Sequence, residues 1–164
     1  LTGAARGLGA ALARHLARPG AALRLVARDA AALAAVAADC AARGADVAQA
    51  CCDVTDAAAM AALLRGWDAA LPFTHVVANA GVTSGTTPDG GLEPPQDAAR
   101  AVAVNLLGAM HTVQPLLPAL VARRAGRVVL VCSVAAFRGL PDSPAYCAAK
   151  AGLWAWGEAL RGVL

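Results

Sequence analysis

A tyrosine and a lysine four residues apart are the side chains of this sequence best suited to acid–base chemistry. Tyr146 is the only tyrosine and Lys150 the only lysine, since the other thirteen Lys or Arg positions are arginine. Residues i and i+4 of a helix share one face, with Cβ atoms about 5–6 Å apart. An ammonium held there favours the phenolate over the phenol. The pair therefore predicts a proton-transfer site; an exposed pair on an alanine-rich helix is the alternative.

A glycine-rich turn at the start of the chain is suited to binding phosphate. Gly3, Gly7 and Gly9 follow the pattern G-x3-G-x-G and lead into a predicted helix over residues 8–17. Glycines let the backbone turn tightly and let a pyrophosphate approach the amides at a helix N-terminus. An ordinary glycine turn before a helix is the alternative that this pattern alone leaves open.

Two arginines favour a particular dinucleotide. In dinucleotide-binding folds, a residue about 20 positions after the glycines contacts the adenosine ribose, where an acid favours NAD and an arginine accommodates a 2′-phosphate. Arg28 ends the predicted strand 22–27, and Arg6 lies inside the glycine turn. Asp29 is the rival ribose ligand, but its place before a predicted helix is typical of an N-cap. We therefore predict NADP(H) over NAD(H).

Strands and helices alternate along the whole chain. Continuous apolar runs predict strands over 22–27, 47–52, 75–78 and 127–132. Helices are predicted over 30–42, 57–71 and 96–125, with Pro115 and Pro118 bending or dividing the third. A last helix carries Tyr146 and Lys150. This alternation is typical of one α/β domain, here residues 1–164, with a parallel sheet covered on both faces.

Rare polar residues follow the predicted strands. The chain has two asparagines, and Asn79 directly follows a strand, as the serine Ser133 does. Ligands of open parallel sheets bind beyond the carboxyl ends of the strands, so these side chains, the glycine turn and Tyr146 can meet there. Asn105 lies among apolar residues in mid-helix, where an amide requires a buried hydrogen bond or an ordered water.

Composition argues against several other classes of protein. The net charge of +3 comes from scattered arginines, which does not favour a nucleic-acid surface. Apolar stretches are interrupted by charges, prolines or histidine, so no membrane span is predicted. Five cysteines lack metal-type spacing, so no metal site is predicted, and their odd number suggests reduced thiols in a cytoplasmic protein.

Taken in order, these motifs resemble the short-chain dehydrogenase/reductase family, in the branch that includes 3-oxoacyl carrier-protein reductases and hydroxysteroid dehydrogenases. The thirteen-residue spacing from Ser133 to Tyr146 also matches. The combination covers nearly the whole chain and is more specific than any single motif. The matching elements are Thr2-Gly3-x-x-x-Gly7-x-Gly9, Asp53-Val54, Asn79-Ala80-Gly81, Asn105, Ser133 and Tyr146-x-x-x-Lys150.

The resemblance implies a Rossmann-type doubly wound sheet in three layers, and hydride transfer between a nicotinamide and a carbonyl or alcohol. Tyr146 would be the general acid–base, and Lys150 would favour its phenolate and hold the nicotinamide ribose. Ser133 would hydrogen-bond the substrate oxygen, and Asn105 would hold a water that relays protons. The predicted cofactor-binding residues are Gly3, Arg6, Gly7, Leu8, Gly9, Arg28, Asp53, Val54, Asn79, Ala80, Gly81, Tyr146 and Lys150.

Compared with the family, the sequence is incomplete at both ends. Only Leu1 remains of the apolar strand that precedes the glycine loop in the family, and the chain stops within the helix bearing Lys150. Two further strands, the substrate-binding loop and a Pro-Gly segment are absent. We therefore expect a fragment that, expressed alone, aggregates or stays molten without turnover. The full-length protein is expected to be a homodimer or homotetramer.

Two other functions stay open at this point. A regulatory module that binds a dinucleotide without turnover needs no acid–base tyrosine, so the set Asn105, Ser133, Tyr146 and Lys150 argues against it. A related epimerase or dehydratase would keep the tyrosine and lysine, but Ser133 and the short loop after it favour a simple reductase.

Overall fold

A computed structural model describes residues 1–87, 91–162 and 164 of the chain. Within these residues, short parallel strands alternate with helices, as predicted. The strands are β1 (Ala22–Ala27), β2 (Asp46–Cys51), β3 (His75–Ala78) and β4 (Arg127–Leu130). The α-helices are α1 (Gly7–Leu16), α2 (Ala30–Ala42), α3 (Ala57–Ala70), α4 (Pro95–Val102), α5 (Gly108–Val113), α6 (Leu117–Arg123) and α7 (Pro144–Leu160).

The sheet consists of two parallel pairs joined by the first two residues of the chain. β1 pairs with β2, and β3 pairs with β4. Between the pairs, Val26 N donates to Leu1 O at 3.0 Å, and Thr2 N donates to Val77 O at 3.1 Å. The spatial order is therefore β2, β1, residues 1–2, β3 and β4. This order carries Gly3, directly after Thr2, to the carboxyl ends of β1 and β3.

Helices cover both faces of the sheet. Leu25 and Ala27 of β1 belong to one apolar core, together with residues of α1 and α2. Val26, between them, belongs to a second core with residues of α3 and α5–α7. Because successive side chains of a strand point to opposite faces, the two cores lie on opposite sides of β1. The predicted three-layer α/β fold is confirmed.

Aspartates cap the first turns of two helices. Asp29 accepts a hydrogen bond from Ala32 N at the start of α2, at 3.0 Å. Asp56 does the same for Ala59 N at the start of α3, at 2.9 Å. The preference for Asp29 as a cap is therefore confirmed, and its carboxylate stabilises a helix N-terminus. Predicted and observed boundaries agree to within one residue, except that β4 ends at Leu130 and α6 at Arg123, each two residues earlier than predicted.

The helical stretch Pro95–Arg123 is divided, as its prolines indicate. A 3-10 turn, Gln114–Leu116, separates α5 from α6. A π-helical turn, Ala103–Leu107, separates α4 from α5 and was not predicted. By length and composition the whole stretch could cross a membrane, but Val104, Val113 and Leu116 pack into the second core. It is thus a core helix of this fold.

A partly buried ion pair joins α3 and α6 at the edge of the sheet opposite the carboxyl ends. Arg123 at the end of α6 binds both carboxylate oxygens of Asp68 in α3, at 2.7 and 3.0 Å. Asp68 also accepts from Phe73 N at 2.7 Å, and Arg123 donates to Phe73 O at 2.8 Å. Three segments are therefore held together just before β3 begins.

Candidate functional site

A cleft of about 540 Å³ lies along the carboxyl ends of the strands. It is lined by the glycine turn, by the residues that follow β1, β2, β3 and β4, and by one face of α7. Ser133 is the one predicted site residue that is not among the described residues lining this cleft. The others all line it: Gly3, Arg6, Gly7, Leu8, Gly9, Arg28, Asp53, Val54, Asn79, Ala80, Gly81, Asn105, Tyr146 and Lys150.

The glycine turn leaves the N-terminus of α1 open to the cleft. Gly7 begins the helix with φ of +52°, and no described atom lies within 4 Å of the position that a Cβ would take. Among the described residues, no side chain caps α1, because Arg6 at the N-cap position makes no such hydrogen bond. Free first-turn amides and the helix dipole favour an anion at this point. The turn therefore fits a pyrophosphate group.

Gly9 shows how tightly the turn is folded. A Cβ added there would collide with Gly3 O and would lie 2.6 Å from Asn79 Nδ2. Asn79 Nδ2 itself donates to Thr2 O at 3.0 Å and to Gly3 O at 3.3 Å. Thr2 Oγ1 in turn accepts from Asn79 N and Ala80 N, both at 3.2 Å. The side chain of Asn79 thus fastens the glycine turn to the end of β3.

Replacing Gly9 with alanine is expected to weaken dinucleotide binding at least tenfold, about 1.4 kcal/mol, because the new methyl group must push Gly3 out of position. Titration of NADPH into each variant of the intact protein measures this. Gly66→Ala is the matched control, since no described atom lies within 4 Å of its added Cβ in α3. Equal affinity in Gly9→Ala and wild type would show that the turn does not bind the cofactor.

Two arginines and two aspartates form the end of the cleft beyond β1 and β2. Arg6 pairs with Asp29 at 3.3 Å, and Arg28 pairs with Asp53 at 3.5 Å. Both guanidiniums are more than half exposed. Hydrogen bonds from the backbone and hydroxyl of Thr55, together with the Arg28 charge, hold the pKa of the Asp53 carboxyl below its usual value. A ligand at this end meets two exposed cations.

Tyr146 and Lys150 lie one turn apart on α7, and both line the cleft. Lys150 Nζ is 5.7 Å from the centre of the Tyr146 ring. Lys150 is buried, and its ammonium donates to Val131 O at 2.8 Å. Burial lowers the pKa of the Lys150 ammonium, while the nearby Cys132 thiol opposes this. Because an ammonium has three donors, Lys150 keeps two for a ligand.

Asn105 lies within the π-helical turn and is fully buried. Its amide group donates to Val82 O at 2.8 Å and to Ala101 O at 2.9 Å, and it accepts from Val82 N at 3.1 Å. Asn105 therefore joins the helical stretch to the segment that follows β3. A Cβ on Gly81 would lie 2.8 Å from Asn105 Oδ1, so the small residue at 81 allows this approach.

Ser133 is half-buried in the loop after β4. Its Oγ accepts from Ala135 N at 3.2 Å and caps the 3-10 turn Val134–Ala136, which packs against α7. The hydroxyl hydrogen takes no part in this cap and is available to a ligand. The structure thus places Ser133 beside α7, and Ser133 is not among the described residues that line the cleft.

Sequence reasoning gave no role to several residues that organise or line the site. Thr2 organises the turn through its hydroxyl, and Val131 binds Lys150 through its carbonyl. Arg100, an exposed residue of α4, also lines the cleft. The threonine directly before the glycines was the one available signal. Backbone carbonyls carry no signal in the sequence, because every residue has one.

Known proteins similar to this chain share one family. A family model described as short chain dehydrogenase matches residues 1–162. An uncharacterized oxidoreductase from Myxococcus xanthus is 39% identical over 162 residues, which are 98% of this chain and 63% of that protein. Ketoacyl reductase HetN from Nostoc sp. is 34% identical over 163 residues, which are 98% of this chain and 56% of that protein. The chain thus spans less than two thirds of these curated relatives.

Solved structures agree with the fold described above. The crystal structure of NAD+-bound xylitol dehydrogenase matches 99% of this chain and 63% of its own, with a TM-score of 0.89 and 27% identity. A metagenomic short-chain oxidoreductase in complex with NADP matches 99% of this chain and 76% of its own, with a TM-score of 0.87 and 34% identity. Since the family model also covers almost every residue, the chain belongs to the short-chain dehydrogenase/reductase family.

Proposed function

We propose that this chain forms the cofactor-binding and catalytic region of an oxidoreductase that transfers a hydride between NADP(H) and a carbonyl or alcohol. One observation carries the proposal. The Tyr146–Lys150 pair lines the same cleft as a glycine turn whose open helix end fits a pyrophosphate. Carbonyl reduction requires a hydride donor and a proton donor close together, and an acid–base pair beside a dinucleotide site can provide both.

When bound, the nicotinamide supplies the hydride. The residues of this chain supply binding and proton transfer. The Tyr146 hydroxyl donates a proton to the carbonyl oxygen of the substrate, and the Lys150 ammonium stabilises the phenolate that remains. Ser133 donates its hydroxyl hydrogen to the same substrate oxygen. Asn105 holds the helical stretch against Val82, and a water bound beside it returns a proton towards Lys150.

The choice of NADP(H) rests on Arg6 and Arg28. The solved relatives include one bound to NAD+ and one in complex with NADP, so the family alone decides only that the cofactor is a nicotinamide dinucleotide. Both arginines lie at the end of the cleft beyond β1, where the adenosine ribose would lie. A 2′-phosphate can draw both guanidiniums away from their exposed partners Asp29 and Asp53 at low cost, since exposed ion pairs contribute about 0–1 kcal/mol.

Arg28→Ala is expected to raise the KM for NADPH about tenfold and to change the KM for NADH less than about twofold. The reason is that only NADPH carries the phosphate that Arg28 would bind. Steady-state kinetics of the intact protein with each cofactor measure the difference. Arg161→Ala, at an exposed ion pair with Glu158 on the far end of α7, is the control. A wild-type preference for NADH would contradict the assignment.

The substrate class proposed is a small-molecule ketone or its alcohol, such as a 3-oxoacyl thioester or a hydroxysteroid. The name of the ketoacyl reductase relative supports the first of these. A screen of the intact protein against ketones and alcohols, with both cofactors, tests the proposal. Absence of oxidation or reduction throughout a broad panel, with NADPH binding intact, would favour a regulatory module.

The assembly proposed is a cytoplasmic homodimer or homotetramer. Trp156 packs against the second core, whereas Trp154 on the other side of α7 is 44% exposed. Trp154 stacks edge-on against Phe137, which is 66% exposed, with ring centres 4.6 Å apart. An exposed aromatic pair formed by α7 and the loop after β4 supports a subunit contact there.

A further inference from the structure

The N-terminus of α7 needs a hydrogen-bond acceptor from outside the helix. Tyr146 is its third residue, after Pro144, which has no backbone N–H, and Ala145. The residue at the N-cap position is Ser143, but among the described residues its side chain makes no capping bond. The first free amide of the helix therefore belongs to Ala145, the residue next to Tyr146.

Glu93 supplies the acceptor from 52 residues away in the sequence. Its Oε2 accepts a hydrogen bond from Ala145 N at 3.1 Å. Its second carboxylate oxygen, Oε1, is buried and has no partner in the part of the chain that the structure describes. A partly buried carboxylate is costly unless it is compensated, and a helix N-terminus attracts negative charge. The bond to α7 is thus the compensation that the structure provides for Glu93.

A second contact from the same loop holds the residues just before Tyr146. Thr86 N donates to Asp142 O at 2.8 Å. A Cβ added to Gly85 would lie 2.6 Å from Asp142 O and 3.2 Å from Ser143 Oγ. The glycine therefore permits a close approach between this loop and the start of α7. Thr86 and Glu93 thus hold residues 142–145 through two separate hydrogen bonds.

The loop is also fastened to the Asn105 end of the site. It begins at Val82, whose N–H and C=O are both bonded to Asn105. Glu93 itself lies two residues before α4, which continues into the π-helical turn. The described parts of this loop thus contact both Asn105 and the start of α7, the helix that carries Tyr146.

We propose that Glu93 is a positioning residue for Tyr146: by capping α7 through Ala145 N, it fixes where the phenol hydroxyl points in the cleft. The inference rests on the proposed role of Tyr146 as acid–base. Glu93 acts through the helix end and does not touch the reacting atoms. A displacement of about 1 Å in a reacting group can cost about 100-fold in rate, so a loose first turn matters.

Three variants of the intact protein test this role. Glu93→Ala is expected to lower kcat about 10–100-fold while the KM for the carbonyl and the Kd for NADPH change less than about threefold. Glu93→Gln, whose amide oxygen can still accept from Ala145 N, is expected to keep kcat within about threefold of wild type. Glu158→Ala removes an exposed carboxylate at the far end of the same helix and is expected to leave kcat unchanged.

Two further measurements each remove one dependence: the first does not need Glu93→Ala to fold well, and the second does not need turnover. Gly85→Ala keeps Glu93 but forces the loop away from Asp142, and is expected to lower kcat about tenfold. Amide hydrogen exchange at Ala145 is expected to accelerate in Glu93→Ala and to stay near wild type in Glu93→Gln. This exchange readout remains valid if no carbonyl substrate is turned over, so it separates the inference from the proposed function.

Several results would overturn the role of Glu93. One is wild-type kcat in Glu93→Ala together with unchanged exchange at Ala145. Another is a loss in Glu93→Gln as large as that in Glu93→Ala, which would make the charge and not the acceptor the important property. A third is a selective rise in the KM for the carbonyl at unchanged kcat, which would make Glu93 a substrate-binding residue.

Discussion

Replacing Tyr146 with phenylalanine is expected to lower kcat for carbonyl reduction by about 10²–10⁴-fold, the usual contribution of general acid–base catalysis. The substitution removes only the hydroxyl that is proposed to donate the proton. The ring and its contact with Lys150, whose Nζ lies 5.7 Å from the ring centre, are kept. NADPH affinity is therefore expected to change less than about threefold. Steady-state kinetics and an NADPH titration on the same preparation measure both quantities.

Lys150→Met provides the contrast to Tyr146→Phe. It removes the ammonium that is expected to serve both the phenolate and the nicotinamide ribose, so kcat and NADPH affinity should fall together. The Val131 carbonyl also loses its donor. If Tyr146→Phe keeps more than a tenth of wild-type kcat, the phenol is not the proton donor. If both wild type and Tyr146→Phe bind NADPH without turnover, the protein is a regulatory module.

The second large effect concerns stability and the pair Asp68–Arg123, in which the Asp68 side chain is 8% exposed and the Arg123 side chain 24% exposed. Asp68→Ala is expected to lower the free energy of unfolding of the intact protein by about 3 kcal/mol near pH 7, because it leaves Arg123 without its partner. The N–H of Phe73 also loses its acceptor. The expected fall in Tm is roughly 6–12 °C for a domain of this size. Urea unfolding followed by circular dichroism measures the change.

The loss should depend on pH with a definite sign. Hydrogen bonds from Arg123, with that from Phe73 N, hold the pKa of the Asp68 carboxyl below its usual value in the folded state. A depressed folded pKa adds stability above the unfolded pKa of about 3.9, and this stability is lost as the pH falls through the folded pKa. The difference between wild type and Asp68→Ala should therefore shrink below about pH 4.

An exposed ion pair is the matched control for Asp68. Glu158→Ala breaks the pair with Arg161, in which both side chains are about half or more exposed, and should change stability by less than about 1 kcal/mol. A loss of similar size in both variants would mean that burial adds nothing to the Asp68 pair. A loss in Asp68→Ala that stayed constant down to pH 2 would contradict the assigned carboxyl.

Much of the fold was predictable because it depends on local patterns. The caps by Asp29 and Asp56 follow from residue type and position just before an apolar helical run. The strands follow from short apolar runs between helices. The π-helical turn at Asn105 was not predictable, since it occurs where that amide bonds to Val82, 23 residues earlier, and no local pattern shows this contact.

The site, like the fold, has features that the sequence predicted and features that it did not. Spacing within one helix placed Tyr146 and Lys150 on a common face, and the order of strands and glycines placed them beside the glycine turn. The expected position of Ser133 in the cleft lining is not seen. Its side chain instead caps the turn that follows it, a short-range bond that competes with other orientations.

The sequence by itself therefore determined the alternation of strands and helices, the shared face of Tyr146 and Lys150, and the glycine turn before α1, because i,i+4 spacing, strand periodicity and glycine placement act over a few residues. Only the tertiary structure decided that Glu93 caps α7, that Asp68 meets Arg123 and that Lys150 binds the Val131 carbonyl. These contacts join residues 19 to 55 positions apart. Which distant groups meet depends on how the whole chain packs, and no local pattern carries that information.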